Sequence, residues 1–379
     1  MELSKKAMIT KFYIDGFKSL FEFNISCDSL TCLIGMNNSG KSTILQAFDF
    51  LSAIANGNVS KWLDARGWKP RDIRSQLKSR QQIIYIMLTF KLNDNVYLWI
   101  IDFIFNRLNC INERIIRIDD SGTETFLLNV KDDFYSLFRE EKKYVDFNYN
   151  GSILASLKEE LLSPELKQIK QFLQSFKSLE LLTPSLLRKR ARTSEGDLGA
   201  GGEKLSAFLY NLSKDKKEYI HKKMSVLFKS FTDYHVKAKR SGWKELWINE
   251  LFKNSFTLIE ASHISDGFLR LLALFSQLQT DYSVLLFDEI EDGINHEVME
   301  YLMDELINAH QQIILTTHSP MILNFLEDDI AKKSVMLVYR DETGKTQACN
   351  FFDIPKIKEK LEYMGPGEVF ANVNLRELP

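Results

Sequence analysis

The hydrophobic pattern changes character along the chain, and each change predicts a different kind of element. Ile9, Phe12 and Ile14, followed by Leu30-Thr31-Cys32-Leu33-Ile34, predict two strands within residues 8–34. Ile44, Leu45, Phe48 and Leu51 then recur at helical spacing, so a helix follows. Residues 83–90, 96–105, about 113–118 and about 125–130 read as a string of antiparallel strands. The stretch 83–105 is the most apolar of the chain, but Lys91, Asp94 and Asp102 interrupt it. A membrane helix needs roughly 20 uninterrupted apolar residues. Two β-rich segments around the turn Asn93-Asp94-Asn95 therefore predict a buried hairpin rather than a membrane span.

The middle of the chain is more polar. Leu157, Leu161, Leu166, Ile169 and Phe172 form an apolar stripe that predicts helix over 153–182, too short and irregular for a long coiled coil. Residues 193–202 are rich in turn formers and predict a loop, with a helix around 204–229 beyond it. From 254 onward the pattern becomes regular. Strand-like Phe256–Ile259 precedes a turn at Ser265, and Leu269, Leu271, Leu272, Leu274, Phe275 and Leu278 mark a strong helix. Val284–Phe287 and Ile313–Leu315 are short apolar runs on either side of a helical stretch at 296–309. Val335–Val338 with the turn Asp341–Gly344 predicts a closing hairpin. Helices alternating with wholly apolar strands imply a largely parallel sheet covered on both faces.

Composition adds limits. The 379 residues suffice for one large domain or two modest ones, and a hydrophobic share of 45% supports a sizeable core. A net charge of −2 gives no global field toward nucleic acid or membrane. Cys27, Cys32, Cys110 and Cys349 are scattered, with no metal-ligand spacing. That usage fits the reducing cytosol. Lys11 and Asp15 break the early apolar stretch, so no secretory signal is read and a cytoplasmic location is expected.

Chemistry enters with four motifs in fixed order. Gly35-Met36-Asn37-Asn38-Ser39-Gly40-Lys41-Ser42-Thr43 lies between a predicted strand and a predicted helix, the context a phosphate-binding loop requires. Its glycines let backbone N–H groups turn inward around phosphates, and the helix beginning near Lys41 aims its positive end at them. Lys41 would reach the β- and γ-phosphates of ATP, and Ser42 would supply a ligand to Mg²⁺. Asp288 follows the apolar strand and would hold Mg²⁺ through water; Glu289, one residue on, is placed to act as general base for the attacking water. Ser265-Asp266-Gly267 opens the strong helix, where Ser265 is also a plausible N-cap. Asp288 comes 23 residues after Ser265, and His318 comes 30 residues after Asp288, just past a buried strand. His318 could hydrogen-bond a γ-phosphate; a loop histidine satisfied locally is the alternative.

Together these motifs resemble an ATP-binding-cassette ATPase of the SMC, Rad50, RecF and OLD branch. The resemblance rests on Ile14-Asp15-Gly16-Phe17-Lys18-Ser19, the phosphate loop, Ser265-Asp266-Gly267-Phe268-Leu269-Arg270, Leu285–His296 and Thr316-Thr317-His318-Ser319-Pro320. It implies an α/β fold: a P-loop NTPase head of ABC type with an antiparallel β subdomain and a short helical arm insertion. The expected divisions are an N-terminal lobe over 1–130, an arm over 131–245 and a C-terminal lobe over 246–379. It also implies a homodimer, open to higher assembly. ATP held by one copy at Gly35, Asn37, Asn38, Ser39, Gly40, Lys41, Ser42 and Thr43 would be capped in trans by Ser265, Asp266 and Gly267 of the other, with Glu289 and His318 catalytic. Ile290 and Glu297 stand where prolines are common in that branch, and the Q-loop glutamine is not placed; Gln81 and Gln82 are candidates.

The insertion of about a hundred residues is far shorter than an SMC or Rad50 coiled coil, and the 59 residues after Pro320 are expected to be too few for the Toprim nuclease domain of OLD proteins. The resemblance therefore extends to compact ATPase subunits of anti-phage systems, which often work with a separately encoded Toprim-like or HNH effector. The alternative is a RecF-like ATPase that itself binds DNA in repair or maintenance; a transporter subunit fits poorly with Ser265-Asp266-Gly267. Residues 186–244 carry fifteen Lys/Arg against six Asp/Glu, densest at Arg188, Lys189, Arg190 and Arg192. This is read as a DNA or partner contact, or else as a solvated face, with Trp243 and Trp247 expected in the core.

Overall fold

A computed structural model of the chain describes residues 7–77, 82–138, 140–179, 183–194, 196–199, 201–253, 255–375 and 378. It resolves into two compact units. The first comprises residues 1–178, 282–286 and 310–379; the second comprises 179–281 and 287–309.

The first unit is built on two sheets. One is eight-stranded and antiparallel throughout, and contains the strands Ala7–Asp15, Phe23–Ser26, Ile83–Leu92, Asn95–Ile104, Asn109–Ile118, Glu124–Lys131, Phe134–Leu137 and Lys143–Tyr144. The apolar stretch 83–105 forms the predicted hairpin. Leu92 pairs with Asn95, and Asn93 and Asp94 take the left-handed conformations that a two-residue turn demands. Along Ile83–Leu92 burial alternates, with Ile84, Ile86, Leu88 and Phe90 fully inside. Among the described residues no helix is long and apolar enough to cross a membrane.

The other sheet has six strands in the order Phe176–Leu179, Val284–Phe287, Gln312–Thr316, Leu30–Ile34, Val335–Arg340, Thr346–Asn350. Leu30–Ile34 runs parallel to both its neighbours, and the last two strands form the closing hairpin. Every residue of Leu30–Ile34 and Gln312–Thr316 is buried, which explains why their apolar residues run consecutively, as in Ile313–Leu315, rather than alternating with exposed polar ones. The helix Lys41–Ala55 joins the sheets. Phe48 meets Phe12 at 4.4 Å between ring centroids, Phe50 meets Phe17 and Phe103, and the helix also packs on Gln312–Thr316. Buried Gln312 adds a polar stitch: its side chain accepts from Ile9 N and donates to Ile9 O and Asp28 O, all within 2.9 Å.

The second unit places the helices Leu205–Asn211 and Lys214–Leu227 beside a three-stranded antiparallel sheet of Phe231–Ala238, Lys244–Phe252 and Ser255–Glu260. The helix Asp266–Gln277 packs on Lys214–Leu227 and on the short helix Pro184–Leu187. Lys223 and Tyr219 both reach Glu305 on the helix Met299–Ile307, at 2.5 and 2.8 Å.

Two predicted helices are corrected. Residues 153–179 do not form one helix, and 180–182 lie outside the described residues: a helical turn at Ile153–Ser156 and a 3₁₀ turn at Glu159–Leu161 are separated by extended Leu157 and Lys158, Ser163 caps a new helix at Pro164–Leu173, and a strand begins at Phe176. Pro164 cannot extend a preceding helix but suits a first turn, so the chain restarts there. Likewise 204–229 divides at Leu212–Ser213, where the Ser213 hydroxyl accepts from Lys216 N and caps the second helix.

Candidate functional site

The phosphate-loop sequence sits where the buried strand Leu30–Ile34 meets the helix Lys41–Ala55. Gly35 has φ +147°, and a Cβ there would lie 2.1 Å from the Val338 carbonyl oxygen. Gly40 has φ +111°, and a Cβ would lie 2.3 Å from Thr346 Oγ1. Both positions thus require glycine for conformation and for clearance. Asn38 is left-handed at +64°. Met36, Asn37 and Asn38 are exposed at the crest, while Gly35 and Ser39 are buried. Lys41 is buried to 5% exposure, and its ammonium donates to the carbonyls of Gly35 and Met36 at 2.9 and 3.0 Å, inside the curve of the loop. Ser42 and Thr43 follow in the first helical turn, which contains no acidic residue and has no side-chain cap. The positive end of that helix is therefore opposed by no carboxylate of its own.

His318 belongs to the same unit and the same end of the sheet. Thr316 is in register with Leu33 on the adjacent parallel strand, so the segment after Thr316 emerges beside the phosphate loop. Buried Thr317 donates its N–H to Leu33 O at 3.1 Å, and its hydroxyl accepts from Ser319 N. These bonds fix the backbone on both sides of half-buried His318.

The remaining motifs belong to the second unit. Ser265 takes the N-cap position of Asp266–Gln277, but its hydroxyl makes no cap bond. Arg188 donates to Ile264 O at 2.6 Å and pairs with Asp266, bracing the turn on both sides of Ser265. Gly267 lies against the segment after Asp288-Glu289: a Cβ there would approach Gly293 O to 2.7 Å. Arg270 secures the same segment, donating to Asp292 O and Oδ2 at 2.5 and 2.6 Å. Asp288 and Glu289 follow Phe287 directly. Glu289 is exposed, with φ +46°. A cavity of about 20 Å³, close to one water in size, is lined by Arg270, Leu274, Phe287, Asp288, Glu289, Ile290 and Ile294.

The basic run does not present a uniform face. Arg188 is engaged as described, and Arg190 pairs with Glu245 and Glu260 at 2.8 and 3.2 Å. Lys239 beside Glu245, with Arg190, holds that carboxyl below the usual carboxylate range. Arg192 stacks over Trp243, 4.9 Å from the ring, and with Lys189 they border an open hollow of about 580 Å³. Trp243, expected in the core, is 39% exposed; Trp247 is half-buried under Lys237. Gln82 is exposed ahead of its strand, and Gln81 lies outside the described residues. No signal in the sequence marks Arg188 as a brace, Arg270 as a link, or Thr346 and Val338 as the wall behind the loop. Of these only Arg270 stood within a motif.

A family profile described as "AAA domain, putative AbiEii toxin, Type IV TA system" matches residues 30–324. An SMC head bound to the C-winged helix domain of ScpA is similar at 14% identity over 92% of this chain and 99% of that chain, with a TM-score of 0.53. The SMC head domain from Thermotoga maritima is 15% identical over 90% of this chain and 98% of that one, with a TM-score of 0.46. Among curated proteins there is no match.

Proposed function

The chain belongs to the AbiEii-type AAA family and has the fold of an SMC-like, ABC-type P-loop ATPase head, and on that premise we propose that it is an ATP-hydrolysing dimeric switch. The observation that carries this reading is the loop Gly35–Ser42: two glycines with no room for a side chain, an ammonium inside the curve and an uncapped helix start. That cradle fits a polyphosphate. Gly35, Asn37, Asn38, Ser39, Gly40, Lys41, Ser42 and Thr43 would hold ATP, Lys41 exchanging its carbonyl partners for phosphate oxygens. Ser42 and Asp288 would hold Mg²⁺, which when bound neutralises charge on the phosphates. Glu289 orients and deprotonates water, and His318 donates toward the terminal phosphate.

Ser265, Asp266 and Gly267 of a second copy would close over the nucleotide, so that two heads share their sites. The braces from Arg188 and Arg270 support this assignment, because they hold the turn rigidly while leaving the Ser265 hydroxyl without a cap bond. Nucleotide state would then hold or release a separately encoded effector, Toprim-like or HNH, in anti-phage defence. The family description, which names a toxin–antitoxin system, supports a role beside another protein, as does an SMC head bound to a domain of ScpA. A cytoplasmic setting supplies the ATP. Glu289→Gln should lower turnover at least a hundredfold or so while nucleotide still binds, and should accumulate an ATP-bound dimer in size-exclusion chromatography. Unchanged turnover would remove Glu289 from the mechanism.

A second reading, a RecF-like DNA-binding ATPase, is favoured by one observation: Trp243, Arg192 and Lys189 together at an open hollow. Short duplex DNA titrated at several salt concentrations should then bind with a steep salt slope, reduced by about one in Arg192→Ala. Absence of binding at low salt would eliminate this reading.

A further inference from the structure

The wall behind the phosphate loop is supplied by the closing hairpin, some three hundred residues away in sequence. Thr346, the first residue of the strand Thr346–Asn350, is fully buried. Its hydroxyl donates to the Ser39 carbonyl at 3.1 Å and lies 2.8 Å from the Ser19 hydroxyl. Because a carbonyl can only accept, the Thr346 proton goes to Ser39, and Ser19 must donate to Thr346. The backbone completes the clasp, with Thr346 N donating to Ser19 O at 3.0 Å. The Thr346 side chain also fills the space where a Gly40 Cβ would stand, with Oγ1 at 2.3 Å and Cγ2 at 2.7 Å. One residue therefore restrains the Ser39–Gly40 peptide twice, by a hydrogen bond to its carbonyl and by contact at its α-carbon. A peptide held by its carbonyl has its N–H direction fixed as well, because the unit is planar. The N–H carried by Gly40 is one that a phosphate loop turns toward its ligand.

We propose that Thr346, oriented by Ser19, is a positioning residue of the phosphate loop that sets the direction of the Ser39–Gly40 peptide before nucleotide arrives. This rests on the reading of Gly35–Ser42 as the nucleotide site. Preorganisation of this kind appears in affinity, because ordering the loop otherwise subtracts from the binding free energy. Thr346→Val keeps shape and methyl contact but removes the donor, whereas Thr346→Ser keeps the donor.

The test uses the full chain and a fluorescent ATP analogue, with Kd measured alongside thermal melting in the absence of nucleotide. Thr346→Val should weaken binding about tenfold, the loss of one hydrogen bond's worth of order. Thr346→Ser should bind within about twofold of wild type, and Ser19→Ala should fall between the two. A purely structural role would instead lower the melting temperature of Thr346→Val and leave Kd unmoved, which would overturn the proposal. So would equal impairment in Thr346→Ser. Should Thr346→Val fail to fold, Thr346→Ser and Ser19→Ala decide alone: normal binding by Ser19→Ala overturns the proposal. Lys41→Ala separates the two levels of inference. If wild type binds no analogue, or Lys41→Ala binds it equally well, the nucleotide reading itself fails and the proposal falls with it. If Lys41→Ala loses binding and Thr346→Val does not, only the proposal falls.

Discussion

Glycines with positive φ occur throughout this chain, but they are not equivalent. Gly40 and Gly67 show why. Gly67 ends the helix Val59–Arg66 at φ +65°, with nothing within 4 Å of the place a Cβ would take, so its conformation alone asks for glycine. Gly40 at φ +111° combines a conformation closed to other residues with a clash against Thr346. Gly67→Ala should therefore cost about 1 kcal/mol, the penalty for one left-handed alanine. Gly40→Ala should cost at least about 2 kcal/mol, since strain and overpacking act together. Urea unfolding measures both. Nucleotide titration separates them further: Gly67→Ala should bind as wild type, whereas Gly40→Ala should lose more than about tenfold. Equal stability losses in the two variants would show that the Thr346 wall yields freely. At this scale the sequence reveals residue type and spacing, and so the loop was legible. It does not reveal what stands opposite. Arg188 looked like part of a surface charge run because its neighbours are basic, yet its partners, Ile264 O and Asp266, lie more than seventy residues away.

At the scale of elements, legibility follows the strength of the local pattern. The strands Leu30–Ile34, Val284–Phe287 and Gln312–Thr316 are buried along their whole length, so their composition declares them. The hairpin over 83–104 declares itself by alternation and by a turn that tolerates left-handed Asn and Asp. The strand Phe231–Ala238 does neither. Only Phe231 and Tyr234 are buried; Thr232, His235 and Val236 are half-buried, and Asp233, Lys237 and Ala238 are exposed. Its order comes from hairpin pairing with Lys244–Phe252 across residues 239–243, a cross-strand term that the residues of Phe231–Ala238 do not carry by themselves. The misread helix at 153–182 has the opposite cause. Four residues of its apolar stripe, Leu157, Leu166, Ile169 and Phe172, are buried while Leu161 is exposed, and the buried four come from separate pieces joined at Ser163-Pro164. Apolar spacing reports which residues go inside; caps and proline report where one element ends, and the second signal should have outweighed the first.

For the whole molecule, strand order is the feature that sequence conceals and function uses. The last hairpin of the chain lies beside the strand that feeds the phosphate loop, so residues near 340 complete a structure begun near 35. A second kind of distance follows from the proposed function, since the Ser265 turn of one copy is assigned to the nucleotide of another. That assignment makes a prediction no single chain can satisfy. Lys41→Ala damages the phosphate loop, and Ser265→Arg fills the cap with a bulky side chain, so each homodimer has two broken sites and should be inactive. In a heterodimer of the two variants, one site combines both lesions, while the other joins an intact phosphate loop to an intact cap. Random pairing makes half the dimers mixed, each with one working site, so co-expressed variants should recover about a quarter of wild-type turnover. Recovery must also vanish on dilution below the dimer's dissociation constant, since mass action then leaves only single heads. If each chain instead completed its own site, mixing would restore nothing at any concentration, and Ser265 would return to being a helix-terminal serine.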